Sequence, residues 1–226
     1  MHRYLKLLLS AILLSCWIIA GTARAANTVF PSTKGSTWKY DYSNGMVSTA
    51  SIVASNAHHV TEKTVNSDSV SIVTRLQLTD KGWVSADVGS VRIEKVHGQR
   101  IKIKTVKTSG VVIPRTSLWK PGYKWSYSMQ DVSNDSSGPF TMVVHTSIEA
   151  RSKITGFKTI TVPAGTFHCL RVRVIRHITT AVHIMNQVHI QHFHQNSTEY
   201  YAKGVGLVEI KLGTLTGKLK SYHIAG

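Results

Sequence analysis

Histidines are the side chains of this sequence best placed to do chemistry, and many of them fall within one segment, HITTAVHIMNQVHIQHFHQ, residues 177–195. Alternating apolar residues in this segment predict two antiparallel strands joined by a turn at residues 179–181. That turn would place His177 opposite His183. Directly opposed Cβ atoms are about 4.5 to 5.5 Å apart, so two imidazoles could bind the same metal ion.

Met185 would complete this predicted metal site. It lies two residues after His183, which places both side chains on one face of a strand about 7 Å apart. Imidazole and thioether ligands together suit copper, and zinc is the alternative ion. The competing interpretation is that a histidine-rich strand forms a polar or pH-responsive surface without a metal. No other cofactor is indicated.

Basic residues form a second candidate site, for polyanions. Arg100, Lys102 and Lys104 alternate along a predicted strand and therefore share one face. Arg171 and Arg173 do the same on another strand. A solvated face or a charged strand that protects a sheet edge explains the same pattern.

Catalytic chemistry is poorly represented. The 11 acidic residues are scattered, and the sequence has no HExxH, GxSxG or phosphate-loop motif. Cys169 is the only cysteine after residue 25, so it has no resolving partner, and a half-buried structural role is favoured over a reactive thiol. We therefore predict that the protein is not an enzyme.

The elements that position these residues are predicted to be β-strands. Apolar residues alternate with polar ones in segments such as 70–78, 140–148 and 170–174, and turn-forming residues separate these segments. No long helical stripe is present after the N-terminus. The predicted fold is all-β, an antiparallel curved sheet forming an open barrel or a sandwich of about 10 to 12 strands.

A repeated hexapeptide suggests two half-units. GSTWKY at residues 35–40 recurs as GYKWSY at residues 122–127. The possible repeat units are residues 31–110 and 116–215. In each copy two aromatic residues lie on the same face of the strand that leaves the glycine turn, namely Trp38 and Tyr40, then Trp125 and Tyr127.

Two further motifs are interpreted as folding devices. In VPAGTF, Pro163 and Gly165 suit a turn that begins a strand carrying Phe167. Gly204 and Gly206 permit a bulge or a close backbone approach near the last strand pair.

The N-terminus predicts export. Residues 1–25 combine basic residues, an apolar run and an Ala-x-Ala ending, which is typical of a cleaved signal peptide. The alternative is a lipoprotein anchored at Cys16, which the apolar residues after Cys16 disfavour. Residues 26–226 are predicted to form a single exported domain, secreted, periplasmic or held at the cell surface.

Charge indicates the class of partner. The full chain has a formal net charge of +16, and the leader holds three of the 27 basic residues and no acid, which leaves +13. We expect association with anionic envelope polymers or a membrane surface. No nucleic-acid motif is present.

A small apolar ligand is the alternative partner. It would lie in a barrel lined by residues such as Leu76, Val172, Val174 and Val188. The oligomeric state is not indicated by the sequence.

The order of several motifs supports a family resemblance. FPSTKGSTWKY, PGYKWSY, TVPAGTFHCLRV and EYYAKGVGLVEIK follow one another along the chain. This combination resembles the TapB-like group of exported bacterial proteins. The resemblance implies a β-rich secreted protein or lipoprotein of unknown function and brings no catalytic residues. Together with the basic charge, the predicted export and the lack of catalytic motifs, it leaves a non-catalytic binding protein of the cell envelope as the leading hypothesis.

Overall fold

A computed structural model describes residues 31–68, 70–96, 99–135, 142–184 and 187–226, without the side chains of residues 92–96, 99, 100 and 135. The predicted leader, Cys16 and Met185 lie outside the described residues. Within these ranges no helix is long and apolar enough to cross a membrane.

Fourteen strands and one short 3-10 helix make up the described fold. The strands are β1 (Thr37–Tyr42), β2 (Val47–Ser55), β3 (His59–Asn66), β4 (Ser71–Thr79), β5 (Gly82–Ser85), β6 (Val91–Val96), β7 (Gln99–Gly110), β8 (Ile113–Pro114), β9 (Lys124–Asp135), β10 (Met142–Val162), β11 (Gly165–Ile184), β12 (Gln187–Ala202), β13 (Gly206–Leu212) and β14 (Leu215–His223). The helix is Thr116–Leu118.

The strands form one curved antiparallel sheet in the order β3-β2-β1-β14-β13-β12-β11-β10-β9-β7-β6-β4-β5-β8. β4 also pairs with β3, but the described pairing of β4 with β6 is limited to Ser71 and Lys95, and the sheet does not close into a barrel. The all-β, antiparallel, open-sheet prediction is confirmed. The strand number exceeds the expected range partly because β5 and β8 are too short to show an alternating pattern.

The main core lies where β1, β2, β13 and β14 meet the end of β10 and the start of β11. Trp38 and Tyr40 are each 1% exposed. The Trp38 Nε1–H donates to the carbonyl of Val205 at 2.6 Å, and the Tyr40 hydroxyl donates to that of Leu207 at 3.0 Å. The first aromatic motif therefore holds the chain segment that contains Gly204 and Gly206.

The second aromatic motif begins β9 and is less buried. The Trp125 Nε1–H donates to the carbonyl of Val112 at 3.2 Å, and its ring stacks on Tyr123. With Tyr127 it covers a smaller core cluster that contains Val172 and Val174.

The VPAGTF turn joins β10 to β11 and reaches β14. Val162 pairs with Gly165, whose φ of +134° favours glycine, and the Ala164 N–H donates to the carbonyl of Leu219 at 3.2 Å. Phe167 contacts Tyr222 edge-on, with ring centroids 6.0 Å apart.

The β11–β12 hairpin differs from the sequence prediction. β11 continues to Ile184 and β12 begins at Gln187, so residues 179–181 are strand and not turn. His177 pairs with His194, and His183 pairs with Val188. The predicted pairing of His177 with His183 is wrong, because the β-branched residues Thr179 and Thr180 favour an extended strand.

Candidate anion-binding surface

Strand register defines one outward surface of the sheet, which we call the basic face. Residues that pair directly across antiparallel strands project to the same side. One row across the sheet runs from Lys102 in β7 through Asn134, Val143 and His183 to Val188 in β12. Every second residue along these strands projects to the same side and forms a further row parallel to this one, except at the bulge in β7, where the spacing shifts by one residue. The basic face therefore spans β7, β9, β10, β11 and β12.

The most concentrated positive charge on this face is a row of three cations. Lys124 pairs with Lys153, and Lys153 pairs with Arg173. All three side chains are exposed. Like charges directly opposite one another destabilise a sheet, so this arrangement is unfavourable unless an anion lies nearby.

An open groove lies over this row. It has a volume of ≈ 450 Å³ and is lined by Lys124, Trp125, Ser126, Arg151, Ser152, Lys153, Arg173 and Ile175. The lining contains four cations and no carboxylate. Such a groove can bind phosphate, sulfate or carboxylate groups, and arginine offers bidentate hydrogen bonds to them.

The other predicted polyanion residues fall on the same face. Lys102 and Lys104 pair with Asn134 and Val132 of β9, and a bulge after Thr105 brings Lys107 opposite Gln130. Arg171 lies two residues before Arg173 and donates its Nε–H to the Thr155 hydroxyl at 2.8 Å. The side chain of Arg100 lies outside the described residues. Sequence reasoning missed Lys124, Arg151 and Lys153, because their proximity depends on strand pairing.

Five histidines share the half of the basic face that is away from the groove. The rings of His145 and His183 are 5.1 Å apart between centroids, and those of His177 and His194 are 4.6 Å apart. His192 Nδ1 lies 3.1 Å from the Thr179 hydroxyl. The histidine segment is therefore part of a surface that also includes β10.

The predicted metal site does not form as expected. His177 and His183 lie six residues apart on β11, about 20 Å along the strand, and each contacts a different histidine. Met185, the third predicted ligand, lies outside the described residues. Among the residues described, no three His, Cys, Asp or Glu side chains converge on a metal-sized site.

The inner side of the sheet contains a buried ion pair that the sequence did not reveal. Arg176 Nη2–H donates to Glu199 Oε1 at 2.8 Å, and the Tyr201 hydroxyl donates to Glu199 Oε2 at 2.5 Å. Burial, and then the negative charge of Glu199, raise the pKa of Tyr201 well above its ordinary value. The available signal in the sequence was that Arg176 occupies an apolar position of the alternating pattern, between Val174 and Ile178.

Cys169 lies in the main core. Its Sγ is 3.6 Å from the carbonyl of Phe167, and burial, together with Glu209, raises its pKa to about 11. A thiol with a raised pKa holds little thiolate at neutral pH, so this environment suits a packing role better than nucleophilic chemistry.

The residues predicted to line an apolar cavity lie in different parts of the sheet. Val172 and Val174 are buried under tryptophan and tyrosine rings, whereas Val188 is 52% exposed on the basic face. Leu76 borders an inner cavity of ≈ 40 Å³. That volume suits a few water molecules and is too small for a lipid chain.

Comparison with solved structures finds distant neighbours. The chain is 10% identical to an exported protein with a YmcC-like fold from Bacteroides fragilis, with 88% of this chain and 100% of the other covered and a TM-score of 0.49. It is 11% identical to a protein described as a lipoprotein from Parabacteroides distasonis, with 88% and 100% covered and a TM-score of 0.44. It is 8% identical to the hypothetical lipoprotein YmcC from Escherichia coli, with 86% and 85% covered and a TM-score of 0.37.

Sequence comparison gives one family match. No curated protein matches the chain, and the TapB-like resemblance is not confirmed by these comparisons. The matched region begins at the end of β8 and includes the groove, both long hairpins and β14. Over residues 114–224 the chain is similar to the DUF3108-like family.

Proposed function

We propose that this protein is a non-catalytic, exported binding protein of the cell envelope or extracellular space, whose basic face associates with anionic envelope polymers or membrane. The observation that carries the proposal is the row Lys124, Lys153 and Arg173 beneath the open groove. Three exposed cations directly opposite one another favour an anionic partner over solvent alone.

The distribution of charge across the face extends this argument. Lys102, Lys104 and Lys107 continue the positive surface onto β7. A predicted net charge of +13 after removal of the leader would draw the protein to anionic surfaces over longer distances. The predicted signal peptide at residues 1–25 would deliver it to a compartment where such polymers and headgroups are present.

Binding to an apolar ligand is less well supported. The predicted lining residues do not surround one space, and the inner cavity beside Leu76 holds ≈ 40 Å³. Binding of anions on the outer face is therefore better supported by the structure than binding of an apolar ligand in its interior.

Neutralising the cation row tests the proposal. The variant Lys153→Gln/Arg173→Gln should bind inorganic polyphosphate and anionic vesicles roughly 30-fold more weakly, since each basic residue near an anionic surface contributes about 1 kcal/mol. The measurement is a binding titration at low and at physiological salt, where screening should weaken wild-type binding.

A charge-matched control separates the effect of the cation row from the effect of lowering the net charge of the protein. Lys34→Gln/Lys63→Gln removes two exposed lysines that lie outside the basic face. We expect it to reduce binding less than about threefold. Equal losses in the two variants, or no binding of the wild-type protein to either anionic probe, would contradict the proposed site.

A further inference from the structure

The half of the basic face distant from the groove carries exposed apolar residues beside its cations. Val188 is 52% exposed and Ile190 is 60% exposed, both near the start of β12. Val188 pairs with His183, and Ile190 pairs with Ala181. The same rows continue to Lys102 and Lys104.

We infer that the anionic partner is a lipid bilayer, which this half of the basic face binds more tightly as the pH falls. The inference rests on the proposed function and names its partner and its regulation. Large apolar side chains beside cations suit a membrane interface, where the cations contact headgroups and the apolar groups enter the acyl boundary. A soluble polyanion would leave Val188 and Ile190 in water.

The apolar residues give the bilayer contact a distinct energetic signature. Each is about half exposed, so its transfer to the membrane should strengthen binding roughly fivefold. Electrostatic contacts alone would be shared by a vesicle and a soluble polymer. Dependence on Val188 and Ile190 should therefore appear only with vesicles.

The histidines supply the pH dependence. Their charged neighbours on this surface are lysines on β7 and two residues of β10, namely the carboxylate of Glu149, which pairs with His177, and Arg151 in the next row. The adjacent residues of β9 are uncharged. β12 contributes His192 and His194, and no described residue of β13 pairs with this part of β12.

Protonation of the histidines adds positive charge to this half of the basic face. Two of the histidine pairs have ring centroids 4.6 and 5.1 Å apart, so a protonated pair presents two charges to one anionic headgroup. Because an anionic bilayer attracts these charges, we expect affinity for it to rise as the pH falls through the mildly acidic range in which histidine gains its charge.

Vesicle flotation with the exported form of the protein tests the inference. The probes are phosphatidylcholine vesicles with and without phosphatidylglycerol, and inorganic polyphosphate serves as the soluble polyanion. We expect binding to the phosphatidylglycerol vesicles to be at least about tenfold tighter near pH 5.5 than near pH 7.5 at constant ionic strength. Pure phosphatidylcholine should bind weakly at both.

Two variants separate the apolar and the titrating contributions. Val188→Ser/Ile190→Ser should weaken vesicle binding roughly tenfold or more and leave polyphosphate binding unchanged. Val53→Ser/Val65→Ser is the matched control, because these valines are 40% and 41% exposed elsewhere on the sheet. Replacing His145, His177, His183, His192 and His194 by glutamine should remove the pH dependence while thermal unfolding confirms that the fold is kept.

The outcomes distinguish this inference from the proposed function. Binding to polyphosphate without binding to vesicles would overturn the bilayer inference and leave the anion-binding function in place, as would vesicle binding that is unchanged in Val188→Ser/Ile190→Ser. Affinity that stays constant with pH would overturn the histidine part. Failure to bind any anionic probe would overturn the proposed function itself.

Discussion

Arg176 and Glu199 form an ion pair on the inner side of the sheet, with side chains 10% and 7% exposed. Glu199→Leu would leave the guanidinium buried without its carboxylate and remove the acceptor of the Tyr201 hydroxyl. We expect a loss of about 3 to 5 kcal/mol in the free energy of unfolding, measured by urea denaturation. The exposed Glu149→Gln should change it by less than about 0.5 kcal/mol.

A double replacement shows whether the loss of stability arises from burying the Arg176 charge without the Glu199 carboxylate. In Arg176→Met/Glu199→Leu both charges are absent, and stability should recover to within about 1 to 2 kcal/mol of the wild type. A double variant as unstable as Glu199→Leu would show that the network stabilises the fold through more than charge compensation.

At the residue scale, the sequence predicts geometry only within a single strand. Lys102 and Lys104 share a face because alternation along one strand is fixed by the backbone. Lys124, Lys153 and Arg173 come from three strands, and single-strand patterns contain no information on which residues will be opposite one another. The candidate site was therefore predicted only in its single-strand parts.

At the scale of elements, Gly110 ends β7 where it pairs with β9. Its φ is +81°, and a Cβ there would lie 2.3 Å from the Ser126 carbonyl oxygen, a backbone atom that cannot move away. Gly110→Ala should therefore add a steric clash to the roughly 1 to 3 kcal/mol cost of left-handed backbone. The expected loss in the free energy of unfolding exceeds about 3 kcal/mol.

Gly156 is the matched control for this variant. It lies at a bulge in β10 with φ +138°, and an added Cβ would meet nothing within 4 Å. Gly156→Ala should cost only the backbone strain. If the two variants are equally unstable in urea, the close approach of β7 to β9 is not what requires glycine at position 110.

The histidine hairpin shows why register is harder to predict than strand identity. Apolar and polar residues alternate through residues 177–195, so several registers align apolar side chains equally well. The predicted turn used Thr179 and Thr180, although β-branched residues favour strands. In the structure β11 continues through both threonines to Ile184, and β12 begins at Gln187.

At the scale of the whole molecule, composition and alternation were sufficient for the all-β class, because a period of two residues directly reports a half-buried strand. Sheet order was not predictable. β1 lies beside β14 through contacts between residues far apart in sequence, and β7 lies beside β9 although β8 comes between them in the chain. The possible two-unit repeat at residues 31–110 and 116–215 stays a prediction.

Buried acidic protons make the whole fold sensitive to alkali. Burial, partly opposed by a hydrogen bond with Ser48, raises the pKa of Tyr42 to about 12, and burial raises the pKa of Cys169 to about 11. The pKa of Tyr40 and that of Tyr201 also lie well above the ordinary tyrosine value, mainly because both side chains are buried. The folded protein therefore holds these protons more tightly than the unfolded chain does.

The sign of the pH dependence follows from these shifts. Stability is fully present below about pH 9, where both states are protonated, and is lost as pH rises through the range from about 9 to 12, because the unfolded chain ionises first. Tyr42 alone should contribute up to about 2 to 3 kcal/mol to this loss, a value reached only once the pH has passed its pKa in the folded protein, about 12. Urea denaturation near pH 8 and above pH 10 should give a lower midpoint at the higher pH. In Tyr42→Phe the decrease should be smaller, and an equal decrease would mean that Tyr42 does not take part in the alkaline transition.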